Sequence, residues 1–525
     1  MSAEAPGQGA VVAGAATGDH SAKLSRVARG STLNLVGAVV SAVANFALTV
    51  VITRGVAKDV AGLLFTTTSL VLMAAAIGRL GTDTGLVYFI ARARAAGKEH
   101  LIRAYLRAAR RPVFVSAMLM GVIALATAPV LGRVFSSEHA GLATGYLIVL
   151  AFVIPLAGVE NVALSATRGL GTMRPNALVE QIIRPLLQVV MVAVVVWLGD
   201  PHLLAVGWGL CYVAAAFLAW RALSARLRSL PADTDSAPSV RAEFWRFSAP
   251  RSLASMVQQA MQRFDIVLVA LISGPASAAI YTAATRFLVV GQMARNAISL
   301  AAQPDIAQAM HREDRAEIKA LYQTSTAWLM LVTWPIYLLL MIDGRPLLKL
   351  FGHGYDSGST VLVLLSLAML VATLCGDVDV MLIMAARTTW SLANISVAFG
   401  VNLVLDLILI PHLGILGAAI GWSVAIVTKN VMALVQVAAV FHLHPIGRAT
   451  VTCAAVCLGT CLVLPSVIRL LAGSGTLTTL VGALVSGLGF LACLYLFRRG
   501  LGLEALKIRP GAKRGLGTLA TTEQG

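Results

Sequence analysis

Residues 160–168 read ENVALSATR and residues 379–387 read DVMLIMAAR, so an acid precedes an arginine by eight positions in two distant apolar stretches. A second match follows each of them, because PHL and then GW occur within 201–208 and again within 411–422. The matches recur in the same order along the chain. We therefore interpret the sequence as one unit that is written twice.

Apolar stretches of membrane-spanning length surround these repeats. The chain has 525 residues, of which 58% are hydrophobic and 12% are charged, whereas a soluble domain carries about 25% charged residues. A helical span needs about 20 mostly apolar residues, and a barrel strand would be much shorter and alternating. The sequence therefore predicts an all-α integral membrane protein with 14 transmembrane helices. The predicted spans lie near 31–53, 60–82, 112–132, 143–166, 177–198, 203–222, 251–273, 276–300, 321–342, 359–385, 388–410, 413–436, 449–471 and 475–497.

The repeat divides these spans into two lobes of six and a separate pair. Six spans separate the copies, so both copies start on the same side of the membrane. Transporters with such repeats bind their substrate between the halves and move one half against the other. The predicted domains are a disordered cytoplasmic tail (1–28), an N-lobe (29–223), a cytoplasmic linker (224–248), a C-lobe (249–444), spans 13 and 14 (445–499) and a second tail (500–525).

The distribution of basic residues predicts the orientation of the chain. The net charge of +17 would favour nucleic acid as a partner in a soluble protein. In a membrane protein, Lys and Arg collect in cytoplasmic loops. Most of the 41 Lys and Arg residues fall in the tails and in the loops after even-numbered spans. We therefore predict a multi-pass protein of a bacterial plasma membrane, with both termini in the cytoplasm and no nucleic-acid partner.

The loop after span 2 is rich in basic residues. Two interpretations stay open, a basic amphipathic helix on anionic lipid and ordinary topology determination, and the second is favoured. The basic residues are Arg92, Arg94, Lys98, Arg103, Arg107, Arg110 and Arg111.

Cysteines and nucleotide motifs give no sign of a cofactor. All six cysteines fall in predicted spans, which argues against a disulfide framework. Cys453, Cys457 and Cys461 share one helix face, and small apolar filler is favoured over a metal site because no His or acid accompanies them. No G-x-x-x-x-G-K-[ST] loop occurs, so ATP is not expected as a direct energy source. We predict neither a cofactor nor a catalytic site.

Six basic residues lie inside predicted spans and more than two residues from either end, where each charge costs at least about 2.5–3.5 kcal/mol. Arg263 and Arg286 fall near the middle of spans 7 and 8, so we predict that they line a central substrate cavity. Structural pairing with an acid is the alternative. The others, nearer the cytoplasm where a long side chain can reach water, are Arg79, Arg184, Arg295 and Lys429. We add Arg79, Arg295 and Lys429 to the predicted substrate site.

Polar and acidic residues accompany these cations. Gln262 is predicted to contact substrate, with interhelical hydrogen bonding as the alternative. Four acids are candidates for ion coupling, and a hydrogen bond between helices is an equally good interpretation of each. They are Glu160, Asp265, Asp377 and Asp379.

Short motifs along the chain resemble one known group of membrane proteins. The motifs include Thr53-Arg54-Gly55 after span 1, GTDTGLVYFIAR at 81–92, Arg263-Phe264-Asp265 in span 7 and Leu350-Phe351-Gly352 before span 10. Together with the 6 + 6 + 2 arrangement, they resemble the polysaccharide-export branch of the MOP superfamily (multidrug, oligosaccharidyl-lipid and polysaccharide exporters), especially Wzx-type flippases.

The resemblance implies a non-enzymatic flippase that moves a polyprenyl-pyrophosphate-linked oligosaccharide across the plasma membrane by alternating access. Arginine suits this substrate because its planar, permanently charged group matches phosphate oxygens. The expected partners are the lipid-linked sugar and membrane lipids, with a polysaccharide polymerase and glycosyltransferases as further candidates. The protein is expected to function as a monomer.

Three alternatives remain. A lipid II flippase would have the same fold. A MATE-like antiporter usually has twelve spans. A polysaccharide polymerase would need a larger exterior loop than the longest one predicted here, 343–358.

Overall fold

The computed structural model describes residues 33–231, 238–385, 387–473 and 476–496. Helices make up nearly all of these residues, and no strand occurs among them. The predicted tails 1–28 and 500–525, and residues 232–237 of the predicted linker, lie outside the described residues.

The first half of the chain forms eight helices. They are α1 (Leu33–Gly55), α2 (Lys58–Gly78), α3 (Thr82–Ala95), α4 (Ile102–Phe135), α5 (Ala140–Ala151), α6 (Val153–Gly169), α7 (Arg184–Leu198) and α8 (Leu204–Leu227). A π-helical segment, Asn176–Ile183, leads directly into α7.

The second half forms seven helices, and three more follow it. They are α9 (Pro238–Ser273), α10 (Pro275–His311), α11 (Arg315–Leu348), α12 (Ser359–Leu374), α13 (Val378–Met384), α14 (Thr388–Leu413), α15 (Ile415–Phe441), α16 (Arg448–Leu458), α17 (Leu464–Ala472) and α18 (Thr476–Leu496). A second π-helical segment, Gly459–Val463, joins α16 to α17.

Eleven helical segments within the described residues are long and apolar enough to cross a membrane. This confirms an all-α, multi-pass membrane fold. The predicted spans 251–273, 276–300 and 475–497 coincide with α9, α10 and α18, which are not among the eleven. In α9 and α10 the cause is the polar and charged residues inside the helix, such as Arg263 and Arg286. The count of fourteen spans stays a prediction.

Predicted span 10 is interrupted, which hydropathy did not indicate. Between α12 and α13 the backbone leaves the helix at Gly376, whose φ of 72° is in the left-handed region that glycine adopts without strain. The Tyr322 hydroxyl donates a 2.6 Å hydrogen bond to the carbonyl oxygen of Cys375. Such a partner is required because a free carbonyl at membrane depth is costly. The break places Asp377 at the start of α13.

Helix α2 is the principal contact between the halves. Near its start, a Cβ on Gly62 would lie 1.8 Å from the carbonyl oxygen of Pro275 in α10, so only glycine permits this approach. Just beyond its other end, a Cβ on Gly85 of α3 would lie 2.1 Å from the Ser248 hydroxyl oxygen of α9. The halves therefore touch near both ends of α2.

Candidate functional site

A polar cavity of about 250 Å³ lies beside the C-terminal end of α2. Side chains from α1, α2, α6, α7, α8 and α9 line it, so it lies between the first half of the chain and the first helix of the second half. Its charged lining residues are Arg79, Glu160, Glu180, Arg184 and Arg263. Three guanidinium groups thus face two carboxyl groups, which leaves an excess of positive charge if all five are ionised. We call this space the central cavity.

Glu160 and Arg184 form an ion pair in the wall of the central cavity. One terminal nitrogen of Arg184 lies 3.0 Å from each carboxylate oxygen of Glu160. The side chain of Glu160 is buried, and the Arg184 guanidinium lies 4.9 Å from the ring centroid of Tyr212. Glu160 was predicted for ion coupling, whereas Arg184 was left outside the predicted site. The structure places both residues together in the cavity wall, because a buried carboxylate requires a nearby cation.

Arg79 and Arg263 have no carboxylate partner within hydrogen-bonding range among the described residues. The Nε atoms of both side chains are buried and make no hydrogen bond in that part of the chain. A buried N–H without an acceptor is costly, so these groups favour an anionic ligand. Arg79 and Arg263, both predicted for the substrate site, line the same cavity, and their role there stays a prediction.

Arg286 lines a second cavity, of about 290 Å³, rather than the central one. This cavity lies between α1, α10 and the π-helical segment before α7. Ser41, Asn45 and Gln181 provide its other polar groups, and Val289 is part of its apolar wall. Asn45 lines both cavities, so the two spaces adjoin at α1. We call this space the side cavity.

Two predicted substrate-binding cations are paired elsewhere. Arg295 Nε lies 3.6 Å from a carboxylate oxygen of Asp377, which also accepts a hydrogen bond from Ser299. Lys429 Nζ lies 2.5 Å from a carboxylate oxygen of Asp379. None of these four charged residues lines the central or the side cavity. The geometry therefore favours the structural alternative for them, because opposite charges at the same depth neutralise each other.

Gln262 also lies outside both cavities, and its side chain is exposed. Gln259, three residues earlier, lines the central cavity instead. The reason is helical spacing, because Gln259 and Arg263 are four residues apart and share a face of α9.

A second buried cluster of acids surrounds Asp265 in α9. Its carboxylate accepts a 3.0 Å hydrogen bond from the hydroxyl of Tyr281, and Asp406 and Asn402 of α14 lie beside it. Asp265 is 4% exposed and Asp406 is fully buried. Gly421 makes room for this cluster, since a Cβ there would lie 2.1 Å from an oxygen of Asp406.

This cluster lacks a cation among the described residues. No Lys, Arg or His forms a salt bridge with either aspartate in that part of the chain. Two adjacent buried carboxylates cannot both stay charged without a compensating positive charge. Carboxylate, amide and hydroxyl oxygens are the ligands that hard cations prefer. The residues present can therefore hold a proton or a hard metal cation.

Residues 27–310 match a family described as "Polysaccharide biosynthesis protein", which covers more than half of the sequence. The protein belongs to this family of the MOP superfamily. Residues 250–408 also match the MatE family. A search of curated protein sequences gives no significant match.

Solved structures show that the protein has the fold of MOP transporters. The lipid II flippase MurJ in an inward closed conformation superposes with a TM-score of 0.72 at 14% identity, over 90% of this chain and 99% of MurJ. An inward-facing MATE family multidrug transporter superposes with a TM-score of 0.62 at 16% identity, over 77% of this chain and 95% of the transporter. A MOP superfamily transporter from Pyrococcus furiosus superposes with a TM-score of 0.57 at 16% identity, over 79% of this chain and 95% of that transporter.

Sequence reasoning missed several residues of the two buried sites in this family member. Asn402 and Asp406 are four residues apart in α14, so their common face was visible in the sequence. Arg184 carried the signal of an embedded charge, but its partner was not evident because Glu160 lies in another helix.

Proposed function

We propose that the protein is a flippase that moves a polyprenyl-pyrophosphate-linked oligosaccharide across the plasma membrane by alternating access, in the synthesis of a cell-surface polysaccharide. The observation that carries the proposal is the pair of guanidinium groups, Arg79 and Arg263, in the central cavity. Their buried Nε donors have no acceptor in the described part of the chain. Membership of the polysaccharide biosynthesis family supports the pathway.

The charge of the cavity matches a pyrophosphate. In a site shielded from water, an anionic headgroup needs fixed positive charges, and arginine supplies paired N–H donors for phosphate oxygens. Arg184 is already neutralised by Glu160, so Arg79 and Arg263 remain to hold the headgroup. Arg286 in the adjoining side cavity would contact the same molecule from the direction of α1. A cationic drug would meet repulsion here.

The size of the cavity agrees with a closed stage of transport. Sites for drug-sized ligands have volumes of about 300–1,000 Å³, and the central cavity has about 250 Å³. A pyrophosphate fits such a space, whereas an attached oligosaccharide requires the halves to separate. The contacts at both ends of α2 are the ones that would open in turn.

We propose that the Asp265–Asp406 cluster binds the coupling proton or cation. Asp265 is two residues from Arg263, so a single helix, α9, connects this cluster to the central cavity. Binding of a positive charge between the aspartates would change the position of α9 and with it the position of Arg263. Glu160, Asp377 and Asp379 are less suited because each already has a basic partner.

A lipid II flippase is the second candidate. The likeness to MurJ, which extends over 99% of that protein, favours it. Lipid II is also a lipid-linked pyrophosphate, so the arginines serve either substrate equally. The charge of the central cavity gives a MATE-like exchange of cationic drugs less support. In either flippase we propose that both termini are cytoplasmic, that the protein acts as a monomer, and that glycosyltransferases and a polymerase are its pathway partners.

Transfer between leaflets tests the proposal. Purified protein in liposomes is given a fluorescent polyprenyl-pyrophosphate oligosaccharide or fluorescent lipid II, and outer-leaflet label is measured by dithionite quenching. We expect Arg79→Gln and Arg263→Gln to reduce transfer at least tenfold, with Arg315→Gln, an exposed arginine of α11, as the matched control. Full transfer by both cavity variants would remove the proposed role of the arginines. Faster transfer of lipid II than of the oligosaccharide would favour the second candidate.

A further inference from the structure

A groove outside the transport cavities combines three arginines with an apolar wall. It has a volume of about 650 Å³ and lies between α4 and the first turns of α9. Arg107 and Arg111 of α4 and Arg241 of α9 line its basic part. Val115 and Leu119 of α4 line its apolar part. We call it the α4–α9 groove, and it shares no lining residue with the central or side cavity.

The groove follows one face of α4 from its basic start toward the middle of the bundle. Arg107, Arg111, Val115 and Leu119 are each four residues apart, and side chains at this spacing share a face. Val115 and Leu119 are 65% and 55% exposed. Eight residues separate Arg111 from Leu119, which is about 12 Å along a helix. Half the hydrocarbon thickness of a bilayer is about 15 Å, so the apolar wall matches one leaflet.

A neighbouring groove indicates where the membrane surface lies. Arg111 and Val115 also line this second space, on the other side of α4, together with Trp220 of α8. The Arg110 guanidinium lies 5.6 Å from the centroid of the Trp220 ring. Trp and Arg are common at the level of lipid headgroups, where an aromatic ring has one apolar and one wet side. The arginines of the α4–α9 groove therefore lie at headgroup depth.

The charge of the groove is suited to an anion. Within the described ranges, no carboxylate forms a salt bridge with Arg111 or Arg241. Basic residues that converge at a membrane surface attract anionic headgroups. A free phosphate would use only the arginines and would leave Val115 and Leu119 exposed. A lipid would cover both parts.

We propose that the α4–α9 groove is a binding site for an anionic phospholipid. Its headgroup phosphate contacts Arg107, Arg111 and Arg241, and one acyl chain lies along Val115 and Leu119. Helix α4 belongs to the first half of the chain and α9 begins the second half, so the lipid joins the halves at their basic end. It acts as a bound structural ligand there and is separate from the transported substrate.

Native mass spectrometry of the full-length protein tests this site. The protein is released from nanodiscs of phosphatidylcholine that contain increasing amounts of phosphatidylglycerol, and the phosphatidylglycerol molecules retained are counted. We expect Arg111→Gln/Arg241→Gln to weaken phosphatidylglycerol binding about 30-fold, since each basic residue near an anionic surface contributes a factor of about five. Arg241→Gln alone should weaken it about fivefold.

The control removes the same charge elsewhere. Arg315→Gln/Lys319→Gln neutralises two exposed basic residues of α11 that do not line the groove, and we expect less than a twofold effect. All variants replace exposed side chains, and unchanged thermal unfolding in phosphatidylcholine alone verifies their fold. An equal loss in both double variants would overturn the site. So would equal competition by glycerophosphoglycerol, which has the headgroup and no acyl chains.

Discussion

The Nε atom of Arg54 donates a 2.7 Å hydrogen bond to the main-chain oxygen of Leu350, 296 positions further along the chain. Arg54 lies at the end of α1, and Leu350 lies just beyond the end of α11, where unpaired carbonyl groups carry partial negative charge. The motifs Thr53-Arg54-Gly55 and Leu350-Phe351-Gly352 therefore contact each other. This contact joins the halves at the end of the bundle opposite the basic loops.

Removal of this contact should favour opening at that end. A hydrogen bond from an exposed arginine contributes about 1 kcal/mol, so Arg54→Ala should shift the population of open and closed forms about fivefold toward the open form. Distances between spin labels at Ser137 and Ser357, both exposed near this end, measure the shift. Arg133→Ala is the control, because Arg133 is exposed near the same end and has no carboxylate partner among the described residues. An unchanged distance distribution in Arg54→Ala would contradict the predicted role.

Hydropathy and the repeat predicted the membrane helices but not their interruptions. A window of apolar residues has the same mean hydropathy whether the backbone is helical or broken. The break at Gly376 and the π-helical segment Asn176–Ile183 were therefore not predicted. At the break, the partner of the free carbonyl group is Tyr322, which lies in another helix.

In the candidate site, single charged residues could be recognised from the sequence, but their partners in other helices could not. The embedded charge of Arg263 could be recognised within its own span, and the structure places it in a cavity. The partners of Arg295 and Lys429 could not be recognised, because pairing depends on which helix faces which. The internal repeat did not reveal the pairing of these charges either. Glu160 pairs with Arg184 of α7, whereas the corresponding Asp379 pairs with Lys429 of α15.

The Glu160–Arg184 pair gives a prediction about stability. Glu160→Gln should lower the free energy of unfolding by about 3–5 kcal/mol, because it leaves the Arg184 charge without a partner in a buried site. The double variant Glu160→Gln/Arg184→Gln should recover much of this loss, since it removes both charges. Thermal unfolding in detergent measures the order of stability of the wild type, Glu160→Gln and the double variant. If the double variant were less stable than Glu160→Gln, the pair would not act as a neutralising unit.

The Asp265–Asp406 cluster gives a prediction about cations. A ligand that binds only the folded protein raises its stability with concentration. We expect sodium at constant pH, or protons on lowering the pH toward 5, to raise the melting temperature of the wild type. Asp406→Asn should abolish this response without unfolding the protein, because it removes one of two like charges. Asp305→Asn, at an exposed position of α10, is the matched control. An undiminished response in Asp406→Asn would exclude the cluster as the binding site.

The contact between Gly62 and Pro275 gives the last prediction. In Gly62→Ala, the added methyl carbon would lie only 1.8 Å from the Pro275 carbonyl oxygen. Backbone atoms cannot move aside as a flexible side chain can. Helices α2 and α10 must then separate, so we expect a loss of at least about 1–3 kcal/mol in stability. Gly145→Ala is the control, because a Cβ there meets nothing within 4 Å. Alanine should be neutral or slightly stabilising there, since it has the higher helix propensity. Spin labels at Ser137 and Ser357 separate two causes of the loss: a longer distance in Gly62→Ala shows opening between the halves, and an unchanged distance shows local strain within α2.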